Sequence, residues 1–156
     1  MRTFVITMDG IARIMRTYAL GPGGRVLIDE VDEAPDALAV IAKWHPRHKD
    51  QVTSTREIAE SDIPPFLFKD AWEDDGTNIV HDMNKCRVIK TDQIRAERDI
   101  RLAATDVEVL KLDGQAVPVP LKAKRQTLRD IPATVQSDLD AITTPEALEA
   151  FKPTWP

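Results

Sequence analysis

The stretch from Asp82 to Leu112 contains no proline or glycine, in a chain whose eleven prolines cut the remainder into short pieces. It reads as one long helix, with Asp82 as N-cap and Met83-Asn84-Lys85 as the first turn. Cys86, Ile89, Gln93, Ala96, Ile100, Ala103, Val107 and Leu110 recur at alternating steps of three and four, so they share one stripe. The other faces are charged, with Lys85, Arg87, Lys90, Arg95, Arg98 and Arg101 set among Asp92, Glu97, Asp99, Asp106 and Glu108. One Gln and two Ala make the stripe thin, and helices in proteins gain most of their stability from packing. The stripe therefore needs cover, either from Leu121–Leu128 of the same chain or from another subunit. Ile100→Asp is expected to disturb folding or assembly accordingly.

At 156 residues and 42% hydrophobic, the chain suits one domain or two small ones. A net charge of −5, with the 21 basic residues interleaved among acids, argues against a nucleic-acid binder and offers no basic strip for a membrane surface. No apolar run approaches the ~20 residues that span a bilayer. Asp9-Gly10 interrupts the N-terminal apolar stretch too early for a signal peptide. Cys86 is the only cysteine, which excludes an internal disulfide.

Thr3–Met8 and Ile11–Tyr18 flank Asp9-Gly10, the strongest short-range signal for a β-hairpin. Gly21-Pro22-Gly23-Gly24 is a turn, and Arg25–Ile28 reads as a returning strand; neither phosphate-loop pattern is present. Glu33–Trp44 reads as a short amphipathic helix with Leu38 and Ile41 on one face. His45-Pro46-Arg47-His48 is a surface loop rather than a metal site, since no third ligand is suitably spaced. Gln51–Ala59 alternates weakly, as a strand does.

Phe66–Trp72 is a dense aromatic cluster, expected as one or two helical turns. Asp74-Asp75-Gly76 is an ordinary acidic turn, and Asn78–His81 a short strand entering the long helix. Beyond Gly114, helices are expected over Leu121–Asp130, ended by Ile131-Pro132, then over Ala133–Ile142, then from Thr144-Pro145 onward. The fold class is α+β: an N-terminal small antiparallel β-sheet with a short helix, then a long helix and helical hairpin. Domains are expected over 1–65, carrying the hairpin, and 66–156, built on the helix 83–112.

No catalytic constellation is visible: G-x-S-x-G and H-E-x-x-H are absent, and Cys86 occupies a stripe position. No cofactor and no metal are expected, His45, His48 and His81 included. The residues alone lead to a protein that binds other proteins.

The run Arg95–Asp106, then Lys124-Arg125-Gln126-Thr127-Leu128-Arg129-Asp130-Ile131-Pro132, then Thr154-Trp155-Pro156 resembles tail assembly chaperones and tail-fibre-associated proteins of tailed bacteriophages. Phe68–Trp72 with Asp82–Arg87 is similar to a stretch common in phage and prophage reading frames. Together these pieces cover about the last 90 residues, and Val107 stands where that family has Trp. The resemblance implies a non-enzymatic tail protein, a structural or assembly subunit associated with fibre, baseplate or neck. It would be resident in the virion, and present in host cytoplasm during assembly. The alternative is a transient chaperone not retained in the particle. Partners would be other tail proteins, with homo-oligomers possible, and neither nucleic acid nor membrane. Recognition is expected on apolar and aromatic groups: Phe66, Phe68, Trp72, Ile100, Val107, Phe151 and Trp155. Trp155 between Pro153 and Pro156 either docks on its own domain or inserts into a neighbour.

Overall fold

A computed structural model describes residues 2–8, 11–17, 36, 38, 41 and 46–156, in two compact units that divide after Asp82. The fold is α+β, with a small antiparallel sheet first and helices after it. The strands β1 (Arg2–Met8), β2 (Ile11–Thr17) and β3 (Val52–Glu57) pair in the order β2-β1-β3. Met8 faces Ile11 across the hairpin, the register that a two-residue connection imposes. Strand β1 is central and apolar on both faces, as its run Phe4-Val5-Ile6 allows. Val5 points with Ala12, Ile58, Trp72 and Ile79, while Phe4 and Ile6 pack with Ile41 on the other side. Of the expected helix over Glu33–Trp44 only Asp36, Leu38 and Ile41 are described. The glycine turn, the strand over Arg25–Ile28 and His45 lie outside the described residues.

A second sheet pairs β4 (Trp72–Asp74) with β5 (Ile79–His81). Between them the Asp75 carboxylate accepts from the amides of Thr77 and Asn78, and Gly76 takes φ +92°. These amide bonds hold the Asp75 carboxyl below its ordinary value. Two expectations change here. Phe66–Trp72 is not helical beyond a 3-10 turn at Lys69–Ala71, because Trp72 enters β4. The boundary also falls at Asp82 rather than after residue 65, because Trp72 and Ile79 complete the core under Val5.

The second unit is helical: α1 (Met83–Leu110), α2 (Val119–Thr134), α3 (Gln136–Ala141) and α4 (Pro145–Ala150). Asp113 and Gly114 take φ of 46° and 83°, which ends α1 and turns the chain toward α2. Helix α2 runs through Pro132 instead of ending before it. That proline sits in the last turn, where the missing N–H leaves only one late bond unmade. Thr144 caps α4 by accepting from Ala147 N, with Pro145 at the first helical position.

Carboxylates clamp the first unit's sheet at one end, where β1 begins. Glu57 on β3 takes both Arg2 nitrogens from β1, and Glu60 takes a bidentate pair from Arg16 of β2 at 2.8 Å together with the Thr3 hydroxyl. The Arg16 guanidinium, with Thr3 beside it, holds the Glu60 carboxyl at about 2, below an ordinary 4.5. A carboxyl lowered on folding stabilises above its unfolded value. Its contribution is therefore present above pH 4.5 and fades as pH falls toward 2. In thermal melts of wild type and Glu60→Gln, the gap in Tm should be widest near neutrality and close as the pH approaches the Glu60 value.

Candidate functional site

Helix α1 carries two distinct faces, and its own unit covers only one of them. The covered face runs along Arg87, Lys90, Thr91, Ile94, Arg98 and Thr105. Against it lie Leu128 and Ile131 of α2, Leu139 of α3 and Leu148 of α4, all buried. Few apolar side chains line the α1 side, and polar bonds supply the rest. Arg87 donates to the carbonyls of Leu139 and Ile142 at 3.2 and 2.8 Å, at the C-terminal end of α3. The Lys90 ammonium donates to the Glu149 carbonyl at 2.8 Å, in the last turn of α4. Each cation meets the C-terminal end of a helix, where the dipole is negative, and Arg87 shares the Leu139 carbonyl with the Ile142 amide. Farther along, the Thr105 hydroxyl donates to the Leu102 carbonyl and accepts from Arg125 of α2, which also binds Asp106 at 2.6 Å.

The opposite face is the stripe expected to be covered. Ile100, Val107 and Leu110 are 72, 52 and 78% exposed, and Gln93, Ala96 and Ala103 are exposed with them. Only its first turns are covered, Cys86 fully and Ile89 in part. Packing of the stripe against Leu121–Leu128 is thus overturned, because Arg98, Thr105 and their neighbours occupy that interface instead. The sequence signal for the covered face was a second repeat through Arg87, Lys90/Thr91, Ile94, Arg98 and Thr105. It is masked by its charge and visible only once the helix ends of α3 and α4 are in place.

The remaining candidate residues scatter. Phe66 is 59% exposed, with its ring 5.6 Å from that of Trp72 and the Lys69 ammonium 5.7 Å from its centroid. Trp72 is buried, and its indole N–H lies within reach of the Leu67 carbonyl and His81 Nε2, at 3.1 and 2.9 Å. It is therefore a core residue and not a contact surface. Phe68 is buried with φ of 42°, a left-handed conformation that a bulky side chain adopts only under constraint. Phe151 is half-buried after α4, and half-buried Trp155 lies 4.6 Å from the Arg101 guanidinium, docked on its own unit. Near the far end of α1 an open groove of about 610 Å³ is lined by Val109, Val117, Val119, Lys122, Ala123 and Arg129.

Among the described residues no helix is long and apolar enough to cross a membrane. Comparison of the chain with protein-family models, with curated proteins and with solved structures gives no match.

The two faces of α1 should separate in stability measurements. Leu128→Ala removes a fully buried side chain and should cost about 2–5 kcal/mol in denaturant unfolding. Ile100→Asp, on the open face, should cost less than about 1 kcal/mol, since it meets solvent. Lys90→Met should cost about 1–3 kcal/mol, because it keeps the aliphatic stem but leaves the Glu149 carbonyl without its donor.

Proposed function

We propose that the chain is a non-catalytic bacteriophage tail protein. It is retained in the virion as a subunit among fibre, baseplate or neck proteins, and it engages them through the open seam of α1. The observation that carries the docking role is the seam itself: Ile100, Val107 and Leu110 stand in solvent at regular helical spacing, opposite the face their own unit covers. An ordered apolar line of this kind loses water on docking and gains the free energy of that burial. The tail assignment is supported by the resemblance described above, whose segments fall on α1, α2 and the terminal Thr154-Trp155-Pro156. Arg125, which lies in one of the resembling segments, ties α2 to Thr105 and Asp106 in another, so these pieces meet in the fold.

Mass spectrometry of purified virions tests residence: the chain should be present at constant stoichiometry, and its absence there with presence in infected-cell extract would make it a transient chaperone. The double variant Ile100→Asp/Val107→Asp should melt within a few degrees of wild type and yet fail to enter tails. Normal incorporation of that variant would remove the seam from the function.

A further inference from the structure

We infer that the seam of α1 receives an amphipathic helix from a different protein, one whose apolar stripe is bordered by lysine or arginine. The inference rests on the seam being a docking surface and adds the chemistry of what docks there. Gln93, Ala96, Ile100, Ala103, Val107 and Leu110 keep a strict alternation of three and four, the 3.5-residue period of a coiled-coil face. From end to end they span about 26 Å at a rise of ~1.5 Å per residue. Ala96 and Ala103 leave low points between Ile100, Val107 and Leu110, the relief into which large side chains of a facing helix insert.

Charge along the borders decides the occupant. One border carries Asp92, Asp99 and Asp106 at intervals of seven, and the other carries Glu97, Ala104 and Lys111. The carboxylates are well exposed, at 62, 65 and 58% for the three Asp and 47% for Glu97. Their own cations stand behind them: Arg95, Arg98 and Arg101 lie on other faces of α1, and Arg125 approaches from α2. A helix laid on the seam therefore meets carboxylates first. A second copy of α1 laid antiparallel would set the Asp row against an Asp row, three repulsive pairs against the two attractive ones that Glu97 and Lys111 make on the other border. Laid parallel, it would bring Asp92 toward Glu97 of the other copy, and only Asp106 with Lys111 would attract. The Asp row facing itself opposes antiparallel self-pairing and the parallel arrangement gains no net attraction, whereas basic borders on a foreign helix attract Asp92, Asp99, Asp106 and Glu97 with Lys111 alone opposing.

The test uses the full chain and two synthetic helical peptides of about 21 residues. Both carry Leu and Ile at the seam-facing positions, one with Lys at the bordering positions and the other with Glu. Fluorescence anisotropy should show the Lys peptide binding about tenfold or more tightly than the Glu peptide, since several border pairs each contribute modestly. That preference should shrink in about 0.5 M salt, where exposed charges are screened. Asp92→Lys/Asp99→Lys should reverse the order, and Ile100→Asp should abolish binding of either peptide. Equal binding of both peptides overturns the inference, as does binding of neither. Concentration-dependent dimerisation in sedimentation, dissolved by Ile100→Asp, also overturns it by naming a second copy as occupant. Exclusion of Ile100→Asp/Val107→Asp from tails, alongside no peptide preference, leaves the seam's function standing and this occupant wrong. Normal incorporation of that variant defeats the seam reading itself.

Discussion

Two cations on one face of α1 hold the helical unit together. Arg87 and Lys90 reach into the C-terminal ends of α3 and α4, two helices of six residues each, too short to hold themselves in water. Carbonyls at a helix end lack amide partners and carry partial negative charge, so an ammonium or guanidinium there satisfies a polar group and a dipole together. Leu139 and Leu148 are then drawn against α1 and lose all contact with water. Without the two cations, burial of one leucine per short helix would come at the expense of unsatisfied backbone carbonyls.

The same arrangement explains what was legible in the sequence and what was not. The length of α1 was legible because no Pro or Gly interrupts it, and the hairpin because Asp9-Gly10 lies between two apolar runs. The α+β class followed from those two features. Which side of α1 faces inward was not legible, since hydrophobic periodicity marks the apolar side and assumes that it is the buried one. Here Arg87, Lys90 and Thr105 turn inward because their partners are helix termini and an arginine of α2, groups that no local pattern reveals. Trp72 was misread for a related reason. Its neighbours Phe66 and Phe68 looked like one helical cluster, whereas pairing with His81 across β4 and β5 turns its side chain into the core beneath Val5.

The first unit follows a different logic. Strand β1 lies between two others and is buried on both faces, so Phe4, Val5 and Ile6 form a continuous apolar run where an edge strand would alternate. Register is set by the short hairpin and then locked by ion pairs at the sheet's end, Arg2 with Glu57 and Arg16 with Glu60. Such exposed pairs add little by themselves, but a one-residue slip would part both at once and turn Val5 to the other face.

A helix with a polar inner face and an apolar outer one has a consequence for how stability and assembly are linked. Its unit gains less from burial than an all-apolar interface would give, because several of the groups facing inward exchange water for protein partners at a small net gain. The apolar area that would have deepened the fold is kept on the outside. A partner that covers Ile100, Val107 and Leu110 binds the folded helix and not the unfolded chain, so its binding free energy adds to the unit's stability by mass action. The free protein is then the less stable state and the assembled one the more stable. Dissociation of such a partner would be slowed by that same burial.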